Sequence, residues 1–230
     1  MGQHVLPGNP PVPLILRRSA RARRISLRVS SLDGRVTLTL PSHLPDRAAL
    51  DFAAEKEDWL RRHLSARSQD VVPLTGASLP VEGITRVITA GTGRSVRLLP
   101  DRIEGPGDPD RVPARLSGYL RALARDRLAA ASDHYSAQLG LPYSRLTLRD
   151  TRSRWGSCTQ DGALMYSWRL ILAAPEILQY VAAHEVAHLA EMNHSQDFWN
   201  VVQRLYGDYR PPRIWLRRNG ADLHRYRFDG

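Results

Sequence analysis

Apolar and polar residues alternate through the first part of the chain. From Leu14 onward the pattern is that of extended structure. Ile25, Leu27 and Val29 fall on one side while Ser26 and Arg28 fall on the other, as a half-buried strand requires. Asp33-Gly34 is a turn dipeptide, and Val36, Leu38 and Leu40 resume the alternation, so the pair predicts a hairpin. Residues 41–46 then cap a helix over 47–64, with Leu50, Phe52, Ala53, Trp59 and Leu60 as its packing residues. Residues 71–104 read as short strands broken by Gly76, Gly83, Gly91 and Gly93. Residues 1–11, with Gly2, Pro7, Gly8, Pro10 and Pro11, are expected to form a loose tail.

The pattern changes after Gly105-Pro106-Gly107-Asp108-Pro109-Asp110, which marks the strongest boundary signal in the chain. A long helix follows over 113–139, with Leu116, Leu120, Leu123, Leu128 and Tyr135 as its stripe and Gly140 as its stop. Leu146 and Leu148 open a strand running towards Trp155, Asp161-Gly162 makes a turn, and residues 163–168 return. Pro175 opens a helix expected to reach Met192, and another covers 195–205. The prediction is an α+β protein: a tail (1–11), a β-rich N-terminal subdomain with one helix (12–104), a linker (105–112) and a core (113–230).

Composition narrows the class. The 230 residues are 42% hydrophobic and 24% charged, which excludes wholesale disorder. No apolar run reaches the length of a membrane span. Cys158 is the only cysteine, so a disulfide scaffold is excluded, and with no export signal the expected location is cytoplasmic. The net charge is +10, from 33 basic residues of which only Lys56 is lysine. Such a surface favours polyanions, nucleic acid among them, but says nothing about fold.

The chemistry concentrates in His184-Glu185-Val186-Ala187-His188. Histidines four apart share one helical face, so both imidazoles can reach one cation, and zinc suits two such nitrogens. Glu185 projects beside the metal and can take a proton from bound water and pass it to a leaving amine. With 8 histidines in the chain, chance would produce this pattern with odds of roughly 1%. A catalytic zinc needs a third protein ligand and keeps one position open. His194, ten residues after His184, is the candidate, with Asn193 suited to a left-handed helix stop that turns it back. The spacing matches that of metzincins, except that Glu191 replaces their glycine. Glu191 or a later acid is the rival third ligand. His4, His43, His63, His134 and His224 show no ligand spacing with the motif.

Three further stretches accompany the motif: Arg152-Ser153-Arg154-Trp155-Gly156-Ser157-Cys158; Tyr166-Ser167-Trp168-Arg169-Leu170-Ile171; and Asn193-His194-Ser195 with Phe198-Trp199. With the zinc helix they resemble the YgjP-like metallopeptidase domain, related to SprT-like and WLM zinc proteases. Ser167 stands where that family usually has asparagine. The resemblance implies a zincin-like metallopeptidase core: a small sheet over the active-site helix, with an edge strand that pairs with an extended peptide. Residues 152–157 are the candidate edge, with Trp155, Gly156 and Ser157 as candidate substrate-binding residues. The alternative is a core Trp155 with a bulge at Gly156.

The function expected is a zinc metalloendopeptidase acting on polypeptides, with Zn2+ on His184, His188 and His194, and Glu185 as general base and acid. Tyr166, Tyr206, Tyr209 and Arg169 are candidates for the oxyanion partner, and Cys158 is expected to be a buried inert thiol. Two other classes compete. One is a DNA-associated protease or nucleic-acid binder using Arg17-Arg18, Arg21, Arg23-Arg24 and Arg217-Arg218, which lacks a recognisable nucleic-acid motif. The other is a structural zinc site, disfavoured because such sites usually close with cysteine.

Overall fold

The computed structural model describes residues 3–30, 33–65 and 69–228. The chain divides into two compact units, Met1–Gln69 and Asp70–Gly230.

The first unit is a four-stranded sheet with two helices. Its strands are β1 (Gln3–Leu6), β2 (Val12–Ser19), β3 (Ser26–Val29) and β4 (Val36–Pro41), in the order β1-β2-β4-β3. β3 and β4 form the antiparallel hairpin that alternation predicts, while β2 and β4 run parallel. Leu14, Leu16, Val36, Leu38 and Leu40 are buried with Ala49 and Ala53 of α1 (Asp46–Glu55) and Leu60 of α2 (Glu57–Ser65). Three expectations need correction. Residues 3–6 are not a tail: they pair antiparallel with β2, and Arg61 holds the proline-rich turn by donating to the carbonyls of Pro10 at 2.7 Å and Pro7 at 3.1 Å. The single helix is two, interrupted at Lys56. Trp59 is 36% exposed and packs on His63, because it lies about 100° around the helix from buried Leu60.

The second unit opens with β5 (Ser78–Val81), β6 (Ile84–Ala90), β7 (Arg97–Leu98) and β8 (Arg102–Gly105), ordered β5-β6-β8-β7. Leu79, Val81, Ile88 and Ile103 share a core with Leu116 and Leu120 of α3 (Val112–Leu139). The chain therefore does not divide at 105–112. Gly105 ends β8, Val112 is fully buried, and the intervening prolines and glycines make a tight helix entry capped by Asp108. At its far end α3 stops on Gly140, in the left-handed conformation (φ 76°).

Next come β9 (Arg145–Arg149), β10 (Gly156–Cys158) and β11 (Ala163–Ser167), in the order β10-β11-β9. The strand expected from Leu146 towards Trp155 is thus two strands on opposite sides of β11, parallel and antiparallel to it. The crossing is pinned by Arg169, which donates to Asp150 at 2.6 and 3.0 Å, to the Leu223 carbonyl at 3.0 Å and to that of Tyr226 at 2.9 Å. α4 (Pro175–Ala187) packs on α3, β10, α5 (Gln196–Tyr206) and α6 (Arg210–Asn219). Among the described residues, no helix is long and apolar enough to cross a membrane.

Arg169 carries a stability prediction. Its guanidinium is buried, so Arg169→Leu strands a partly buried carboxylate and two carbonyls and should cost about 3 kcal/mol in urea unfolding. A loss below about 1 kcal/mol would show the bonds to be incidental. His224 adds a pH term. Burial, then the charge of Arg169, pushes its pKa down to about 4, against the opposing pull of Asp150. An unfolded histidine titrates near 6.5, so the unfolded chain takes up a proton first. The contribution of His224 is complete above pH 6.5 and falls away towards pH 4, by about 3 kcal/mol in all. His224→Gln should flatten that acid limb.

Candidate metal centre

α4 begins with Pro175 at its first position and buries Ile177, Val181, Ala182 and Val186. That anchoring fixes which side carries His184 and Glu185. The helix ends at Ala187, not near Met192, and His188 keeps right-handed backbone angles (φ −65°, ψ −15°), so it stays one turn beyond His184. The amides of Leu189, Ala190 and Glu191 donate to the carbonyls of Val186 and Ala187 at 2.9–3.1 Å, closing the helix. Asn193 does not supply a left-handed stop: Glu82 is the only described non-glycine residue with positive φ. The helix has stopped six residues earlier, at Ala187, and the amide of Ser195 bonding the Asn193 carbonyl at 2.8 Å completes the reversal. Ser195 then caps α5 by accepting from the Phe198 amide.

The reversal brings His194 back to the helix. One ring nitrogen from each of His184, His188 and His194 lies within 4.8 Å of the others, and His194 Nε2 is 3.1 Å from His184 Nε2. Nδ1 of His188 lies 2.9 Å from the Glu191 carbonyl and can only donate to it, which leaves Nε2 as the free lone pair. Glu191 therefore contributes a backbone carbonyl; the cluster holds no carboxylate. Phe198 packs face-on against His188 at 4.4 Å and edge-on to His184 and His194, fixing the rings. Trp199 lies 5.8–5.9 Å from His184 and His194, stacks on Tyr209, and has Arg213 over its ring at 4.6 Å.

Burial, then the neighbouring imidazoles and Arg213, pushes His184 down to about 3, and burial lowers His188. Both are neutral at physiological pH, the form that binds metals. His184 Nδ1 is buried without a hydrogen-bond partner among the described residues. Three imidazoles, two of them held neutral, converging with no thiolate or acid in the set, fit a divalent cation of borderline softness.

Glu185 is buried, and burial pushes its carboxyl up to about 8, opposed by the charge of Arg154. The carboxyl lies against Gly156, where a Cβ would stand 2.5 Å from both Cγ and Oε1 of Glu185. The close approach that Gly156 permits is thus made by the acid. Gly156→Ala must displace that carboxylate, and we expect peptidase activity to fall about 10–100-fold with metal content unchanged. Wild-type rates would show that the carboxylate position is not critical.

The remaining sequence candidates separate. Trp155 is partly buried and packs against Gly220 and His224, while Ser157 lies on β10 opposite Met165. Tyr166 is buried with its hydroxyl on Ser132 Oγ at 3.0 Å, and burial drives its pKa up. Arg169 is committed to Asp150, and Tyr206 donates to the Glu176 carbonyl at 3.0 Å. Tyr209 is left beside Trp199, joined by Arg213, which no local motif announces. Cys158 lies outside the cluster, and burial, then Glu185, pushes its thiol up to about 11.

No curated protein matches this chain. Among solved structures it is similar to the crystal structure of the metallopeptidase zymogen abylysin from Pyrococcus abyssi, at 21% identity and a TM-score of 0.36, over 40% of this chain and 92% of that one. The family model for the YgjP-like metallopeptidase domain matches residues 23–219, which span both units and every residue of the imidazole cluster. The chain therefore belongs to the YgjP-like metallopeptidases, a family that implies a metal, and its three converging imidazoles are suited to hold one.

Proposed function

We propose that this metallopeptidase is a zinc-dependent endopeptidase, with His184, His188 and His194 holding the metal and Glu185 as general base and then general acid. The observation that carries the reading is the meeting of three imidazoles beside a buried carboxyl. Bound zinc supplies Lewis-acid polarisation of the scissile carbonyl and acidifies water. Glu185 takes a proton from the attacking water and delivers it to the departing amide nitrogen. Its burial favours the protonated form, so a nearby cation is what makes it a base at neutral pH.

The substrate lies along β10. Thr159 donates to Ala163 and Trp155 accepts from Ser167, so antiparallel alternation turns the peptide groups of Gly156 and Cys158 to the free edge. An extended polypeptide pairing there passes beside Glu185 and is held mainly by main-chain bonds. Tyr209 and Arg213 are the groups available to face the developing oxyanion.

The test is metal analysis of the purified protein together with cleavage of a mixed peptide library, before and after chelation. The reading expects zinc near one equivalent and cleavage that stops on chelation and returns with zinc. A metal-free protein that cleaves peptides would overturn it.

A further inference from the structure

The outer face of the β9-β11-β10 sheet carries a groove of about 500 Å³ that the reaction above does not use. On β9, Leu146 and Leu148 pack into the core, so Arg145, Thr147 and Arg149 point the other way. Parallel pairing sets Thr147 beside Met165, and antiparallel pairing sets Met165 beside Ser157 of β10. Arg154, just before β10, also lines the groove. Arg145 has a loose ion pair with Asp161 at 3.9 Å, the charge of Arg154 also acts on the buried Glu185, and Arg149 is exposed on the strand. β10 therefore has two functional faces: Gly156 lies against the carboxylate of Glu185, and Ser157 looks into a basic trough.

We propose that this groove is an exosite for an acidic polypeptide segment of the substrate, a reading that rests on the peptidase function above. Its dimensions suit an extended chain: Arg145 and Arg149 stand four residues apart on a strand, roughly 13 Å, a span that carboxylates on alternate residues of a bound peptide match. Hydroxyls of Thr147 and Ser157 add donors between the guanidiniums. No aromatic residue lines the groove, so it offers no surface for stacking bases, which distinguishes it from a single-strand nucleic-acid channel. The arginines are exposed, so each contributes modestly, and the exosite selects substrates without itself taking part in bond cleavage.

The test uses the full-length, zinc-loaded protein and paired peptides. Both carry one scissile sequence found by library cleavage, flanked by either Glu or Gln at alternate positions. Wild type should cleave the Glu peptide about tenfold more efficiently, through KM, and the preference should shrink in high salt. Arg145→Gln/Arg149→Gln should bring the ratio near one, and Arg149→Glu should push it towards the Gln peptide. No preference, or one that survives these variants, would overturn the exosite. If neither peptide is cleaved, the peptidase reading fails, and binding of the labelled Glu peptide to the Glu185→Gln protein decides the groove separately. Salt-sensitive binding lost in the double variant supports it, and absence of binding refutes it. Tighter binding of a single-stranded oligonucleotide at the same arginines would reassign the groove to polynucleotides and refute the peptide proposal.

Discussion

The Glu185→Gln protein should retain its metal and lose peptide hydrolysis by about 10²–10⁴-fold, the contribution expected of a positioned general base. The substitution preserves shape, so the contact with Gly156 remains and α4 keeps its packing. What disappears is a site able to accept a proton from water and release it to nitrogen. Metal content and peptide affinity should stay near wild type, so the loss appears in kcat. If the variant cleaves peptides at near wild-type rates, Glu185 must be removed from its role and another base sought. If it loses metal as well, the carboxyl supports the ligands and its assignment as base is left without support.

His194→Ala should fail at the earlier step. His184 and His188 come from one rigid turn, whereas His194 is delivered by the chain reversal that follows α4. Removing it leaves two imidazoles, so zinc affinity should fall by at least about 100-fold, beyond what loss of an outer hydrogen-bond partner costs. Titration with a competing chelator measures this, and cleavage should vanish at limiting zinc. The fold should survive, because His194 is exposed and the core beneath α4 is apolar. Unchanged zinc affinity would exclude His194 as a ligand and reopen the question of an acidic third partner.

Much of the site was legible because its parts are local. Two histidines and a glutamate on one helix are fixed relative to each other by helical geometry, whatever surrounds them. The hairpin of β3 and β4, the stop at Gly140 and the start of the helix near Ser195 are also decided within a few residues. The misread points depend on distant partners. Residues 3–6 look like a tail until β2 is there to pair with and Arg61 to hold the turn. The segment 105–112 has a linker's composition, yet Val112 is buried because the sheet of β5–β8 lies on α3. Trp59 is the exception: it has a core residue's chemistry but lies off the stripe, a property of the helix itself.

The same division separates the parts of the candidate site. The amino-acid sequence by itself determined the imidazole pair, the adjacent acid and the α+β class, because periodicity and side-chain chemistry are short-range properties. Only the tertiary structure decided that Gly156 is the residue against which Glu185 rests, that Tyr166 and Arg169 serve packing, and that Arg213 and Trp199 attend the cluster. Those facts arise where separate elements meet, and burial there sets both the room available and the proton affinity of each group.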